Sequence, residues 1–519
     1  MGDLDKMTDS FLLYRDSSAE GKKPYFSRYD IIKDLNFDII FRTMSRGDVL
    51  VSENVNRIMM LPLKTPEQVL YRQEIINDFY NNQDLIEAMY ECVLVQQKAL
   101  ATFKEETEKN RTRQARKASQ IIETLNYLGN GQDGLLYIKE LLEKYKDKLK
   151  SEGLNSLLKR LMDLPLEQIK EKLCDMAFFV SGGEIGYTFQ FGGGFKITRA
   201  SVNYCRTLER VQKKKKQGGL KKLYDKYINK NSLQINNNEE LQKDVEYLEE
   251  FTLQQILSIF QPYLSEMMAF YSHFTEEISF YKGVFNIMKR MEELGIRLVM
   301  PEPAPSGSKD TEFKNLYELP MAVYMQRRPV GNSISLYNNI LTLVTGANQG
   351  GKSTFLRSYG VAQVLMQCGM PVPADSFMAP LYQQVFTHFT RREDEQLNSG
   401  RLQEELKRMS GMVQAAKPHS LFLLNESFAS TTEKEGSQIA EGILHAFYDK
   451  EITTIMVTHL FQLAKSLYNK KIQGVAFLIA ERKEDGTRTF KMMPGEPEYT
   501  SYGTDLFNII RQELRRHGD

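Results

Sequence analysis

Residues 343–358 read Leu-Val-Thr-Gly-Ala-Asn-Gln-Gly-Gly-Lys-Ser-Thr-Phe-Leu-Arg-Ser, a glycine-rich turn set between an apolar run and a helix-forming stretch. The run Ile340 to Val344 suits a buried parallel strand. Gly346 to Ser353 fit the spacing G-x-x-x-x-G-K-[ST], and the residues after Ser353 predict a helix whose N-terminus faces the turn. Glycines at 346, 350 and 351 let backbone N–H groups turn inward onto phosphate oxygens, and the positive end of the helix dipole favours the anion. Gly346, Ala347, Asn348, Gln349, Gly350, Gly351, Lys352, Ser353 and Thr354 are therefore the candidate nucleotide-binding set. Within it, Lys352 is expected to reach the outer phosphates and the Ser353 hydroxyl to complete a Mg²⁺ shell.

Two further strand ends extend the pattern. Ser420 to Leu424 form a short apolar strand ending in Asn425-Glu426, and after another predicted helix Ile452 to Val457 runs into Thr458-His459. In an open α/β sheet, ligands bind beyond the carboxyl ends of the strands, so Lys352, Glu426 and His459 are expected to converge although they lie far apart in the chain. A carboxylate there polarises an attacking water and an imidazole senses the outermost phosphate, which makes Glu426, His459 and Lys352 the catalytic candidates. Taken singly, Glu426 reads equally as an exposed turn acid and His459 as a satisfied strand-end histidine. Their company with the glycine-rich turn favours the site.

Thr345-Gly346-Ala347-Asn348-Gln349-Gly350-Gly351-Lys352-Ser353-Thr354 is similar to a T-G-P-N-x-G-G-K-S-T motif, and Gly369-Met370-Pro371-Val372-Pro373-Ala374 to G-x-x-V-P-A. Ser399-Gly400-Arg401 resembles the start of a signature loop, Thr458-His459 a switch histidine, and Ser501-Tyr502-Gly503 a late S-Y-G. On these segments, residues 343–510 resemble the ATPase domain of the MutS family, the mismatch-repair branch of the ABC-type ATPases. The likeness continues more weakly into Leu61-Pro62-Leu63 and Tyr71-Arg72-Gln73-Glu74-Ile75-Ile76, similar to the core region from which that family's long levers begin. The resemblance implies ATP and Mg²⁺ as cofactors, a homodimer, and Ser399, Gly400 and Arg401 as the signature reaching the partner's nucleotide.

The chain also departs from that pattern. Asn425 stands where the family has an aspartate orienting the Mg²⁺ water shell; its oxygen still accepts a hydrogen bond but carries no charge. Leu402, Gln403 and Glu404 replace the family's Ser-Thr-Phe, removing the hydroxyl expected at the partner's γ-phosphate. Ser427-Phe428-Ala429-Ser430-Thr431-Thr432 lacks the family's Gly-Arg-Gly. The expectation is a divergent ATPase with slow turnover, because Glu426 and Lys352 both survive.

Composition sets wider bounds. At 519 residues and 41% hydrophobic content the chain is long enough for roughly three domains with proper cores. Its net charge of +1, from 68 basic and 67 acidic side chains, decides nothing about an anionic partner, so local clusters must be read. Cysteines at 92, 174, 205 and 368 share no metal spacing and suit reduced thiols in a cytosol. With no basic and then apolar leader and no run of about eighteen apolar residues, a cytoplasmic protein without membrane spans is expected.

From Leu241 onward, Val245, Leu248, Ile256, Ile259, Tyr263, Met267, Phe270, Phe274, Ile278, Tyr281, Phe285 and Met288 recur at three- and four-residue steps. That stripe predicts a helix of about 70 Å, kinked or broken at Pro262. Pro66 to Asn126 is similarly helix-rich. Between these arms, Ile185 to Phe191, a Gly192-Gly193-Gly194 turn and Phe195 to Thr198 predict a β-hairpin. The densest basic run follows at Arg206, Arg210, Lys213, Lys214, Lys215, Lys216, Lys221, Lys222 and Lys226. It reads either as solvated surface or as a phosphate-contacting clamp tip, which needs charge but no base-reading geometry.

The expected architecture is multidomain, α plus α/β: an N-terminal helical lever and clamp region, then a C-terminal ABC-type P-loop ATPase domain. Its divisions are an N-terminal extension and start of the core at 1–60, helical core and lever at 61–181, and a clamp-like insert with the basic run at 182–238. Returning lever helices follow at 239–303, a linker at 304–317 and the ATPase domain at 318–519. Residues 1–60 are too short for the family's mismatch-reading domain and a connector, so direct mismatch reading is not expected. Three functions stay open: ATP-gated binding of duplex or branched DNA, ATP-driven remodelling of RNA or a ribosome, and a nucleotide-gated dimerisation scaffold without turnover.

Overall fold

The computed structural model describes residues 12–15, 23–112, 117–182, 184–191, 197–206, 239–390, 400–483 and 487–497. They fall into two compact units, one drawn from Asn82–Leu149 and Gly153–Ile278, the other from Leu12–Asn81, Lys150–Glu152 and the residues from Ser279 on. Ahead of the sheets come helices α1 (Arg28–Asp34), α2 (Phe37–Ser45), α3 (Val49–Met59), α4 (Pro66–Asn81), α5 (Gln83–Thr112), α6 (Lys117–Tyr145), α7 (Glu152–Asp163) and α8 (Leu166–Gly182).

In the first unit, buried residues on α5 (Leu85, Ile86, Met89, Val93) and α6 (Ile121, Leu125, Leu128, Leu135, Ile138, Leu142) recur at helical spacing, and α6 packs against both α5 and α8. Strands β1 (Glu184–Phe191) and β2 (Ile197–Arg206) pair antiparallel from Glu184↔Arg206 to Phe191↔Ile197, giving the expected hairpin. Arg206 ends β2, whereas Arg210 and Lys213 to Lys226 lie outside the described residues.

The long helix, α9 (Glu239–Glu293), spans 55 residues, about 80 Å of rise. It runs through Pro262 without a break. Proline there deletes the bond to the Ser258 carbonyl, but both residues are exposed, so water can serve that oxygen. Met267, Phe270, Phe274 and Ile278 are buried as the stripe predicts, while Ile259 is 56% exposed. Among the described residues of the stripe, full burial begins only after Pro262.

The second unit is built around two sheets. Strands β3 (Glu302–Pro303), β4 (Thr311–Leu316), β5 (Asn332–Leu336) and β7 (Ser376–Ala379) form one in the order β3-β7-β4-β5. Strand β4 falls inside the stretch 304–317 expected as a linker: Thr311, Phe313 and Leu316 point inward, and this short alternation was outweighed in the sequence by the Pro-Ser-Gly-Ser run before it. The other sheet holds β6 (Leu341–Thr345), β8 (Val385–Phe389), β9 (Leu421–Asn425), β10 (Thr453–Val457), β11 (Val475–Arg482) and β12 (Arg488–Pro494) in the order β12-β11-β6-β10-β9-β8. All its pairings are parallel except β11 with β12.

Five helices serve these sheets: α10 (Leu319–Met325), α11 (Lys352–Met366), α12 (Arg401–Ala415), α13 (Glu433–Asp449) and α14 (Phe461–Lys470). One face of the six-stranded sheet buries Leu343, Phe386, Phe422, Leu424 and Met456 against Met409 and Met412 of α12, Leu444 and Phe447 of α13 and Leu463 and Leu467 of α14. Helix α11 contacts β9 and β10, and its Phe355 and Tyr359 meet Phe313 of the smaller sheet. Both faces are thus covered, which is why β6 and β8 are buried at every position rather than alternating. The edge strand β8 is capped by α1, where Ser27 Oγ donates to the Val385 carbonyl.

Candidate nucleotide site

Strand order explains the convergence of distant residues. Because β10 lies between β6 and β9, the segments leaving the carboxyl ends of these three strands are neighbours although the sequence separates them widely. At the end of β6 the chain turns through Gly346 at φ +113° and Gly351 at φ +90°, conformations that side chains resist. A Cβ on Gly346 would also lie 2.8 Å from the Ala480 backbone nitrogen of β11. Lys352 then opens α11, so the loop's amides and the first turn of the helix face a cavity of about 640 Å³. Asn348 to Thr354 and Glu426 line its floor.

The side chains of the site are already engaged with one another. Lys352 Nζ donates to the carbonyls of Gly346 (2.8 Å) and Ala347 (3.0 Å), bridging its own loop. Burial lowers the Lys352 pKa from its ordinary value, and the Glu426 carboxylate works against that shift. Ser353 Oγ donates to Asn425 Oδ1 at 2.8 Å, and His459 Nε2 lies 2.7 Å from Glu426 Oε1.

The oxygens fit a magnesium ion carried by a nucleotide. Ser353 donates its proton to Asn425, which leaves the hydroxyl's lone pairs available, and hydroxyl, amide and carboxylate are all hard donors. Among the described residues no group of three His, Cys, Asp or Glu is placed to hold a metal ion, so the nucleotide's phosphates would complete the shell.

Several walls of the cavity were not legible in the sequence. Met321 and Met325 of α10, Arg327, Arg328, Pro329 and Val330 of the following loop, and Phe490 of β12 complete its lining. Asn332 of β5 accepts from Met492 N of β12 (2.6 Å), and Arg488 Nη1 donates to Gln349 Oε1 (2.7 Å), tying β12 to β5 and to the loop. None carries a local signature, because each meets the loop from a distant segment.

The remaining sequence candidates are distributed unevenly. Gly400 stands just before α12 and Arg401 begins that helix, whereas Ser399 and Ser501-Tyr502-Gly503 lie outside the described residues. Leu402, in the place of the expected hydroxyl, packs against the core beneath the sheet. Cys92, Cys174 and Cys368 are free thiols, and among the described residues no helix is long and apolar enough to cross a membrane.

Comparison with known proteins places similarity on both parts of the chain. A family model described as MutS domain V matches residues 342–512, and another described as the MutS2 N-terminal domain matches residues 64–294. The DNA mismatch repair protein MutS of Thermus thermophilus is 30% identical over 168 residues, covering 32% of this chain and 20% of that protein. The protein of that name from Streptococcus thermophilus is 30% identical over 172 residues, 33% of this chain and 20% of the relative. The matched stretch thus spans about a fifth of the length of these relatives.

Proposed function

We propose, for a chain that belongs to the MutS family, that the second unit is an ABC-type P-loop ATPase binding ATP with Mg²⁺, and that the whole is an ATP-dependent DNA-binding protein. The observation that carries this is the meeting of Lys352, Ser353 and Glu426 at one cavity beyond three parallel strands, with Asn425 bonded to Ser353 and His459 beside Glu426. The amides of residues 346–351 hold the phosphates and the apolar wall of Met321, Met325, Val330 and Phe490 takes the base. Lys352 exchanges its two carbonyl partners for phosphate oxygens. Ser353, with Asn425 behind it, would hold the magnesium ion, which when bound supplies charge neutralisation across the outer phosphates. Glu426 orients the attacking water and receives its proton, once His459 has left it to meet the γ-phosphate.

The helical stretches 61–181 and 239–303 act as levers on either side of the insert 182–238, and residues 318–519 form the ATPase domain. Two chains pair, with Ser399, Gly400 and Arg401 directed at the partner's nucleotide, and Arg206, Arg210, Lys213 to Lys216, Lys221 and Lys222 contact nucleic-acid phosphates. The work is done in the cytoplasm.

ATP turnover measured with and without a panel of duplex DNA, branched DNA and structured RNA tests this reading. Stimulation by DNA is expected, and stimulation by RNA alone would overturn the DNA assignment. Glu426→Gln should retain nucleotide and lose about 10²- to 10⁴-fold in rate. If calorimetry with Mg²⁺ and ATP registers no association, the nucleotide reading fails.

A further inference from the structure

The turn that carries Glu426 is unusual in its backbone. Glu426 (φ +58°) and Phe428 (φ +65°) both occupy the left-handed region, which non-glycine residues enter only when their surroundings hold them there. The holding contacts come from β8, the residue that follows it, and β10. Thr390 Oγ1 donates to the Glu426 carbonyl (2.7 Å), and Glu426 N itself donates to Val457 O (2.9 Å). Behind them, Ser427 Oγ donates to the His388 carbonyl (3.0 Å) and lies 2.7 Å from His388 Nδ1. His388, Ser427 and Phe428 are completely buried, and the imidazole stacks on the Phe428 ring.

A serine hydroxyl has one proton. With that proton on the carbonyl of His388, Nδ1–H donates to Oγ, the arrangement in which neutral His388 carries its proton on Nδ1. Resting on the ATPase reading above, we propose that His388 is a positioning residue for hydrolysis: through Ser427 it fixes the left-handed turn that aims Glu426 into the nucleotide cavity, without touching the nucleotide itself. A base displaced by about an ångström loses on the order of 10²-fold in rate while phosphate binding, made elsewhere, persists.

Two isosteric variants separate this role from mere packing. In His388→Asn the amide N–H takes the place of Nδ1–H, whereas in His388→Gln it lies near the position of Nε2. With melting temperature and Mg²⁺–ATP affinity monitored alongside, His388→Asn should keep turnover within a few-fold of the parent and His388→Gln should lose about 10- to 100-fold in kcat with KM little changed. Equal turnover in both variants, or parallel loss of nucleotide affinity, would overturn the proposal. Long-range ¹H–¹⁵N spectra of the histidine-labelled full chain give a readout independent of catalysis. Protonation of His388 at Nδ1 supports the assignment and Nε2–H overturns it, even if the parent chain binds ATP and turns none over, which would instead count against the ATPase reading.

Discussion

The loop after β6 and the turn after β9 face the same cavity and both bend through left-handed backbone, but they rely on different means. The first uses glycine at Gly346 and Gly351, with Gln349 (φ +59°) its one non-glycine residue in that region. The second uses Glu426 and Phe428, held by hydrogen bonds with Thr390 and Val457 and by complete burial of the phenylalanine. Conformational freedom is a local property written in residue type; restraint by neighbours is a property of the assembled sheet. A glycine loop can close around whichever anion arrives, whereas the second turn is set before the ligand comes.

Exchanging the two strategies is the strongest way to break the contrast. Phe428→Gly should relieve backbone strain of roughly 1 kcal/mol yet forfeit a buried aromatic worth about 3–5 kcal/mol, for a net loss of about 2–4 kcal/mol in chemical denaturation. A variant as stable as the parent would mean that the ring does not hold the turn. Gly346→Ala forces a methyl to within 2.8 Å of Ala480 N at a φ closed to alanine. It should weaken Mg²⁺–ATP binding by about 1–3 kcal/mol, or roughly 5- to 150-fold by calorimetry, with smaller effect on the apo fold.

The smallest effect concerns charge. Because burial lowers the Lys352 pKa below 10.5, the folded apo chain binds fewer protons than the unfolded chain in the alkaline range beneath that value. Apo stability should therefore rise with pH through that window and fall as pH drops through the folded pKa. A triphosphate favours the charged ammonium, so binding there should take up a proton and weaken as pH rises. Calorimetry in buffers of different ionisation enthalpy checks the sign, and proton release on binding would contradict it.

Much of the first loop was legible. The spacing from Gly346 to Ser353, the apolar run before it and the helix after it all lie within twenty residues, and the structure has them as β6, loop and α11. Glu426 and His459 were also readable as strand-end polar residues, since each strand carries a short apolar run, Leu421 to Leu424 and Ile455 to Val457. Their 2.7 Å contact was not, because it depends on β10 being seated between β6 and β9. The same limit explains β4 inside the presumed linker and the exposure of Ile259: periodicity identifies a face, but only a neighbour makes it a core.

Alone, then, the sequence determined a glycine-rich loop of phosphate-binding spacing, which strands end beside it and that helices dominate the first half, because glycine geometry, apolar runs and 3.6-residue periodicity are short-range facts of the chain. The tertiary structure alone decided the apolar wall of the cavity, the clasp of Asn332 and Arg488 on the β12 side, and the buried His388–Ser427 support behind Glu426. Each of those is a contact between segments tens to more than a hundred residues apart, and a hydrogen bond exists only where the packing of whole elements has brought its two ends within about 3 Å.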